Sequence, residues 1–365
     1  MNYPTGHRGG QWSIILAGGN GERMRPLTEQ WLGYHKPKQF CSFVGKRSLL
    51  QHTWDRADQI TPAMQKVTVV TRAHLQHIWL QLETHSGGQV IVQPQNRDTA
   101  AGIFLPLTYV RAWDPEATVV LHPADHFVFP ENRFVETVRR MVRAAERLGN
   151  RVILLGVPPT DLEQEYGWIK PEWTIGGSAG TRVKRVEAFL EKPDQVTAQR
   201  VLAFGGLWNT LVLTAKVETL WELARQYLPE VMGYFEELGS AIGTPREGLI
   251  LEDIYHHMPI RNFSTDLLQQ CPDRLGVIEL RDVLWSDWGQ PERIAATLRE
   301  IGKAPNFPLH CLDLTGCGKK PVWGMLEGNK ARRAACSPFD LPAASRKTAQ
   351  GRGVIGPVLR GRPRG

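Results

Sequence analysis

The feature that most limits the fold is a rhythm. Short, almost wholly apolar runs recur through the first 160 residues, each followed by a longer stretch with helical spacing. "WSIIL" (12–16), "KVTVVT" (66–71), "QVIVQ" (89–93), "ATVVLH" (117–122) and "RVILLGV" (151–157) are the runs, and "ENRFVETVRRMVRAAERLG" (131–149) is the plainest of the intervening segments. Strands apolar on both faces and spaced by helices predict an α/β fold: a mostly parallel or mixed sheet with helices on both faces. From Tyr166 the rhythm changes to "YGWIKP", "TRVKRVEAFLEKPD" and "GGLWNTLVLTA", with longer connections and several aromatics. That pattern predicts a mixed-sheet extension forming the second wall of a cleft. A body of 1–302, with halves of about 11–160 and 161–302, would then precede a tail of 303–365.

Composition removes other classes. The 365 residues are 42% hydrophobic and 22% charged, values of a soluble globular protein. Met1–Gly10 has no apolar core of a signal peptide, and no window reaches the ~18 to 20 apolar residues of a membrane span, so cytoplasmic residence without membrane association is expected. Five scattered cysteines without a CxxC pair predict neither a disulfide framework nor a zinc site. The net charge of +7 belongs to the tail: 12 Lys and Arg face 3 acids from Lys303 onward, against 32 and 34 before it. Nucleic acid is therefore not an expected partner. The tail, rich in Gly, Pro and Arg, reads as loosely attached. Oligomeric state is not legible, which leaves a homo-oligomer open.

The stretch "ILAGGNGERMRPLTEQWLGYHKPKQF" (15–40) sets glycines against cations directly after the first strand. A loop there lies at the carboxyl edge of the sheet, where ligands bind. Gly18, Gly19 and Gly21 allow backbone N–H groups to turn onto a phosphate. Arg23 adds a guanidinium fork and Lys38 a point charge suited to phosphate oxygens. Two familiar phosphate loops are excluded, since Glu22 and Arg23 stand where a P-loop needs GK[ST] and Met24 where a Rossmann loop needs its third glycine.

"LAGGNGERMRPLT" followed by "KPKQF" resembles the signature of the sugar-1-phosphate nucleotidyltransferases, and its ending is similar to the mannose-1-phosphate guanylyltransferase branch. In family order follow "VQPQNRDTAAGI", similar to a nucleotide loop, "HPADH", a metal motif, "YGWI", "FLEKPD" and "WNT", a sugar-phosphate wall, and "WSDWG", a second metal motif. The resemblance covers about Ile14 to Ile294. It implies the Rossmann-like nucleotide-diphospho-sugar transferase fold, with a nucleotide half before about 160 and a sugar-phosphate half after it.

The resemblance also implies roles. Arg23 and Lys38 would be catalytic, holding the triphosphate and stabilising developing charge. Gly18, Gly19, Asn20, Gly21, Glu22, Gln93, Arg97 and Thr99 would bind nucleotide. Gly167, Glu191, Lys192 and Asn209 would bind sugar phosphate, with Lys192 on the phosphate and Glu191 on a hydroxyl. Asp125 and Asp287 would hold Mg2+, whose preference for hard oxygen suits carboxylates, and imidazole does not suit it, so His122 and His126 are expected to be structural. Alternation along "AFLEK" turns Glu191 and Lys192 to opposite faces, so one of them must sit where the strand ends. The substrates implied are an NTP, most simply GTP, and a sugar 1-phosphate, most simply mannose 1-phosphate; a silent paralogue would have no need of both carboxylates. Residues 306–365 are too short for the isomerase module or β-helix of some relatives, which implies a one-reaction enzyme. Three positions depart from the branch: Gln93 replaces its usual Glu, Asp98 its Asn, and Thr210 and Leu211 stand where a glycine follows "WN".

Overall fold

The computed structural model describes residues 9–178 and 181–315. These fall into two compact units, one of residues 9–19 and 50–287, the other of 20–49 and 288–315.

The larger unit carries every described strand: β1 (Gln11–Leu16), β2 (Lys66–Thr71), β3 (Gln89–Gln93), β4 (Thr118–Pro123), β5 (Phe127–Phe129), β6 (Val152–Val157), β7 (Gly167–Ser178), β8 (Thr181–Glu191), β9 (Leu207–Lys216), β10 (Leu275–Glu279) and β11 (Leu284–Ser286). Nine of them form one sheet in the order β3-β2-β1-β4-β9-β6-β10-β8-β7, while β5 and β11 form a separate antiparallel ribbon. β3, β2, β1 and β4 run parallel, as do β6 and β10, whereas β9 enters antiparallel between β4 and β6. The α/β class and the mixed sheet are as the sequence predicts.

The apolar runs work because alternate side chains feed opposite layers. On β4, Val119 and Leu121 join one core and Val120 the other; on β6, Val152 and Leu154 part from Ile153 and Leu155 in the same way. One core is centred on the helix Asp98–Trp113, buried without a break from Ile103 to Val110 and therefore lacking a polar face. The other is capped by the helix Glu131–Leu148, whose Phe134, Val138, Met141 and Ala145 make a buried stripe.

The two expected halves share one sheet, in which β9 and β10 lie among β4, β6 and β8. The chain does not leave the folded body at 303. Residues 303–312 belong to the smaller unit, where Phe307 is buried and meets Trp31 at 5.9 Å and Phe43 at 6.2 Å between ring centroids. Asn306 donates its N–H to the Phe43 carbonyl and its side-chain amide to the carbonyls of Ser42 and Gly45. One aromatic in a polar run has no periodicity, so this docking leaves no local signal. Residues 316–365, the rest of the expected tail, lie outside the described residues.

Phe307→Ala is therefore expected to destabilise the smaller unit by about 3 kcal/mol, the usual cost of removing a buried ring. Denaturant unfolding of the variant beside the wild type reads this as a lowered midpoint, and an unchanged midpoint would contradict the docking.

Candidate active site

In the larger unit the strand ends bring three motifs to the carboxyl edge. Ala124 donates its N–H to the Leu16 carbonyl and Ala17 to that of Val69, so the chain leaving β4 and β1 is held in register past the strands. Gly18 follows directly; a Cβ there would stand 2.7 Å from Gln93 Nε2 and 3.6 Å from Thr71 Cγ2. Gln93, the last residue of β3, is buried, and its Oε1 accepts from the Tyr255 hydroxyl at 3.2 Å. Arg97 donates from Nε to the Tyr255 carbonyl and from its terminal nitrogen to that of His256, each at 2.8 Å. Both carbonyls end the helix Glu247–His257, so the guanidinium caps a helix C-terminus. Thr99 Oγ1 accepts from the Phe263 N–H at 2.8 Å.

The two expected metal motifs meet through the small ribbon. Antiparallel pairing sets Trp285 opposite Val128 and Ser286 opposite Phe127, which brings Asp287 and Asp125 to the same end. The Tyr166 hydroxyl donates to Asp287 Oδ1 at 2.6 Å, and Tyr166 packs edge-on to Trp285 and Trp208 at 5.5 and 5.0 Å. His126 Nδ1 accepts from Trp285 Nε1 at 3.3 Å, and the buried His122 hydrogen-bonds Ser13, as expected of structural histidines. Among the described residues no group of three or more His, Cys, Asp or Glu side chains forms a metal site. Two carboxylates fit a hard divalent ion that completes its shell with water and phosphate oxygens.

The acceptor wall is compact. Gly167 pairs with Glu191 across β7 and β8, and a Cβ on Gly167 would stand 2.9 Å from Glu191 Oε2 and 3.3 Å from Asn209 Cβ. β8 ends at Glu191, and Lys192 lies beyond it with φ of 46°, its N–H on the Tyr166 carbonyl and its ammonium 3.8 Å from Glu165. Burial pushes the Glu191 carboxyl up from its usual range, opposed by the Lys192 cation and a Ser264 hydrogen bond and reinforced by Asp98.

Gly19 ends the first segment of the larger unit, and the smaller unit holds the expected site residues Asn20, Gly21, Glu22, Arg23 and Lys38. Gly21 has φ of 67°, and a Cβ would meet Lys38 N at 2.9 Å, so only glycine lets the "KPK" segment lie against the loop. Lys38 is buried at the start of a 3-10 turn, and the His35 ring bonds the Asn20 carbonyl at 2.9 Å. Glu22 pairs with Arg25 at 2.8 Å, and Arg23 sits in the turn Glu22–Met24.

Residues 12–303 match the family described as Nucleotidyl transferase. The chain belongs to that family. It is 31% identical over 280 residues to the xanthan biosynthesis protein XanB of Xanthomonas campestris pv. campestris (strain B100), covering 76% of this chain and 57% of the relative. Against an Escherichia coli mannose-1-phosphate guanylyltransferase it is 27% identical, covering 80% and 61%. The chain thus spans about six-tenths of the length of these curated relatives. A Thermus thermophilus crystal structure described as mannose-1-phosphate geranyltransferase superposes with a TM-score of 0.66 at 26% identity, covering 78% of this chain and 79% of that one. The nucleotide-diphospho-sugar transferase fold is thereby established.

Backbone strain in this family member clusters at the motifs. Of five non-glycine residues with positive φ among the described residues, Asp98, Lys192 and Trp288 lie inside motifs and Leu211 directly after "WNT". Leu211, at φ of 56°, is one of the two residues that stand where the resemblance leads one to expect a glycine. Thr210 Oγ1 donates to the Leu155 carbonyl and Asn209 Oδ1 accepts the Leu211 N–H, holding the kink in place. Motif reading missed the segment 262–269. Asn262 bonds Asp98, the Phe263 N–H bonds Thr99, and Gln269 accepts the Glu191 N–H, so one segment ties the "VQPQNRDT" loop to the end of β8. It carries no motif, and no local signal could have found it.

His122 sets an acid limit on the fold. Burial, helped by the Arg56 charge, lowers its pKa to about 3. The unfolded chain binds that proton near 6.5 and the folded chain does not, so stability falls as pH drops through the window between them, by up to about 1.4 kcal/mol per pH unit. His122→Gln keeps an acceptor for Ser13 and should flatten this limb of a stability-versus-pH curve measured by urea unfolding; an unchanged slope would contradict a neutral buried imidazole.

Proposed function

We propose that the chain transfers a nucleotidyl group from a nucleoside triphosphate, GTP, to a sugar 1-phosphate, mannose 1-phosphate, and releases pyrophosphate. The observation that carries this reading is the β5–β11 pairing, which joins two carboxylate motifs far apart in sequence at the edge where Gly18 and Gln93 lie. Family membership supports the reaction type. The guanylyl and mannose choices rest on what the E. coli relative is named and on the "KPKQF" resemblance.

An acceptor phosphate oxygen attacks the α-phosphorus, the bond to the bridging oxygen breaks, and pyrophosphate departs in line. Two anionic reactants must be neutralised and aligned, and little proton transfer is required. Arg23 and Lys38 bind the triphosphate and stabilise charge on the transferring and leaving groups. Glu191 accepts from sugar hydroxyls beside Asn209, at a wall that Gly167 leaves open, and Lys192 meets the sugar's phosphate. Asp125 and Asp287 would hold Mg2+, with Tyr166 orienting Asp287. When bound, such an ion offsets phosphate charge and acts as a Lewis acid on phosphoryl oxygen.

A pyrophosphate-release survey of GTP, ATP, UTP and dTTP against several sugar 1-phosphates tests the reading. GTP with mannose 1-phosphate should give the highest kcat/KM; a preference for UTP or dTTP would refute the guanylyl assignment but keep the reaction type, and no release with any pair would refute both.

Asp125→Ala and Asp287→Ala should each lower kcat by about a thousandfold, with melting temperature nearly kept for the half-exposed Asp125. Full activity of either variant, or of the wild type in EDTA, would remove the metal assignment.

A further inference from the structure

Gln93 is held by a residue outside every motif. Its side-chain amide lies between two glycines: Nε2 is 2.7 Å from where a Cβ on Gly18 would stand, and both amide heteroatoms are 3.8 Å from the same point on Gly102. An amide has two orientations of nearly equal shape, one the donor–acceptor reverse of the other. In so tight a slot, hydrogen bonding must choose between them.

Tyr255 supplies the choice. Fully buried on the helix Glu247–His257, it places its hydroxyl 3.2 Å from Gln93 Oε1 and 3.3 Å from the Ala101 carbonyl. The hydroxyl has a single proton, and the Ala101 carbonyl already lies within the helix Asp98–Trp113, where it accepts from the next turn. A carbonyl keeps a second lone pair, so the hydroxyl lies within reach of both oxygens; Gln93 Oε1 is the nearer and carries no helix bond, which favours it for the proton, and burial keeps the phenol from ionising. The same residue's carbonyl accepts from Gln95 Nε2 at 2.5 Å and Arg97 Nε at 2.8 Å. One tyrosine so anchors three residues of the nucleotide loop, two through its backbone and one through its hydroxyl.

We infer that Tyr255 is a positioning residue for base recognition: its hydroxyl fixes the Gln93 amide in one orientation, with the carbonyl on the tyrosine and the NH2 toward Gly18, and thereby lets that amide discriminate among bases. The inference rests on the nucleotidyltransferase reading for the identity of the ligand. Without the hydroxyl the amide turns over freely and offers either a donor or an acceptor, so unlike bases become more nearly equivalent. The backbone contacts to Gln95 and Arg97 survive, which separates base discrimination from loop folding.

Tyr255→Phe tests this, because it removes one oxygen and keeps the ring. The spread of kcat/KM across GTP, ATP, UTP and dTTP should narrow by about tenfold, the lower range for a mismatched buried polar group. The KM for mannose 1-phosphate should stay within about threefold. In a Gln93→Ala background the substitution should change the spread no further. An unaltered spread, or the same narrowing with Gln93 absent, would overturn the inference. Equilibrium titration of GDP, ADP, UDP and dTDP with the wild type and with Tyr255→Phe gives an independent reading as a ratio of Kd values, which does not require turnover. If the wild type releases no pyrophosphate with any substrate pair, the functional reading fails by itself and the titration still decides the role of Tyr255. Should Tyr255→Phe melt early, a comparison of wild type with Gln93→Leu serves in its place: an unchanged Kd ratio would show that the oriented amide does not discriminate and would overturn the inference.

Discussion

The larger unit depends on one strand that runs against its neighbours. β9 lies antiparallel between β4 and β6 and also touches β7. Were it parallel, as most of its neighbours are, its amino end would lie beside the amino end of β4, far from the carboxyl edge. Run antiparallel, it delivers Trp208 and Asn209 to that edge while Leu213 and Ala215 fill the core. A bulge between Leu154 and Gly156 in its pairing with β6 absorbs the mismatch, and the strained Leu211 lies within it. Sheet integrity and the placing of Trp208 and Asn209 at the carboxyl edge are therefore the same problem, solved in ten residues.

Much of this was legible beforehand, and the boundary of legibility has a physical basis. The apolar runs announced the parallel strands because a strand buried on both faces cannot tolerate polar residues. The glycine loop was readable from its glycines and cations after the first strand, and "HPADH" and "WSDWG" through their resemblance to family motifs. Tertiary juxtaposition left no such trace. Tyr166 beneath Asp287, the bond of Asn262 to Asp98 and the anchoring of Arg97 on a helix end all join segments more than a hundred residues apart, and each residue alone is unremarkable. The misplaced tail boundary has the same origin, since Phe307 is one ring whose partners Trp31 and Phe43 stand at the other end of the chain.

Four of the five strained non-glycine residues among those described lie within or beside the motifs, and Asp282 is the exception. Left-handed conformations cost an ordinary side chain roughly 1 to 2 kcal/mol each, and they fall on Asp98, Lys192, Leu211 and Trp288, within or beside four different motifs. Asp98 tolerates the conformation by accepting the Thr99 and Asn262 donors, and Lys192 by following the end of β8 with its N–H on Tyr166. Three of these kinks turn the chain where a strand or loop hands over to the next element, and Leu211 turns it inside β9 at the bulge, which allows short segments to present consecutive residues in different directions.

The smaller unit is built from the two ends of the folded chain, and this orders events in time. Residues 20–49 leave the ribosome early, but Phe43 has no Trp288 or Phe307 to pack against until 288–307 has been made. At ordinary rates of synthesis that interval is on the order of tens of seconds. During it, the segment that carries Arg23 and Lys38 must wait as an unfinished domain with exposed aromatic side chains. The nascent chain can thus pair most of its sheet before its cationic arm has a fixed shape, so an early-made segment is completed only by a late-made one.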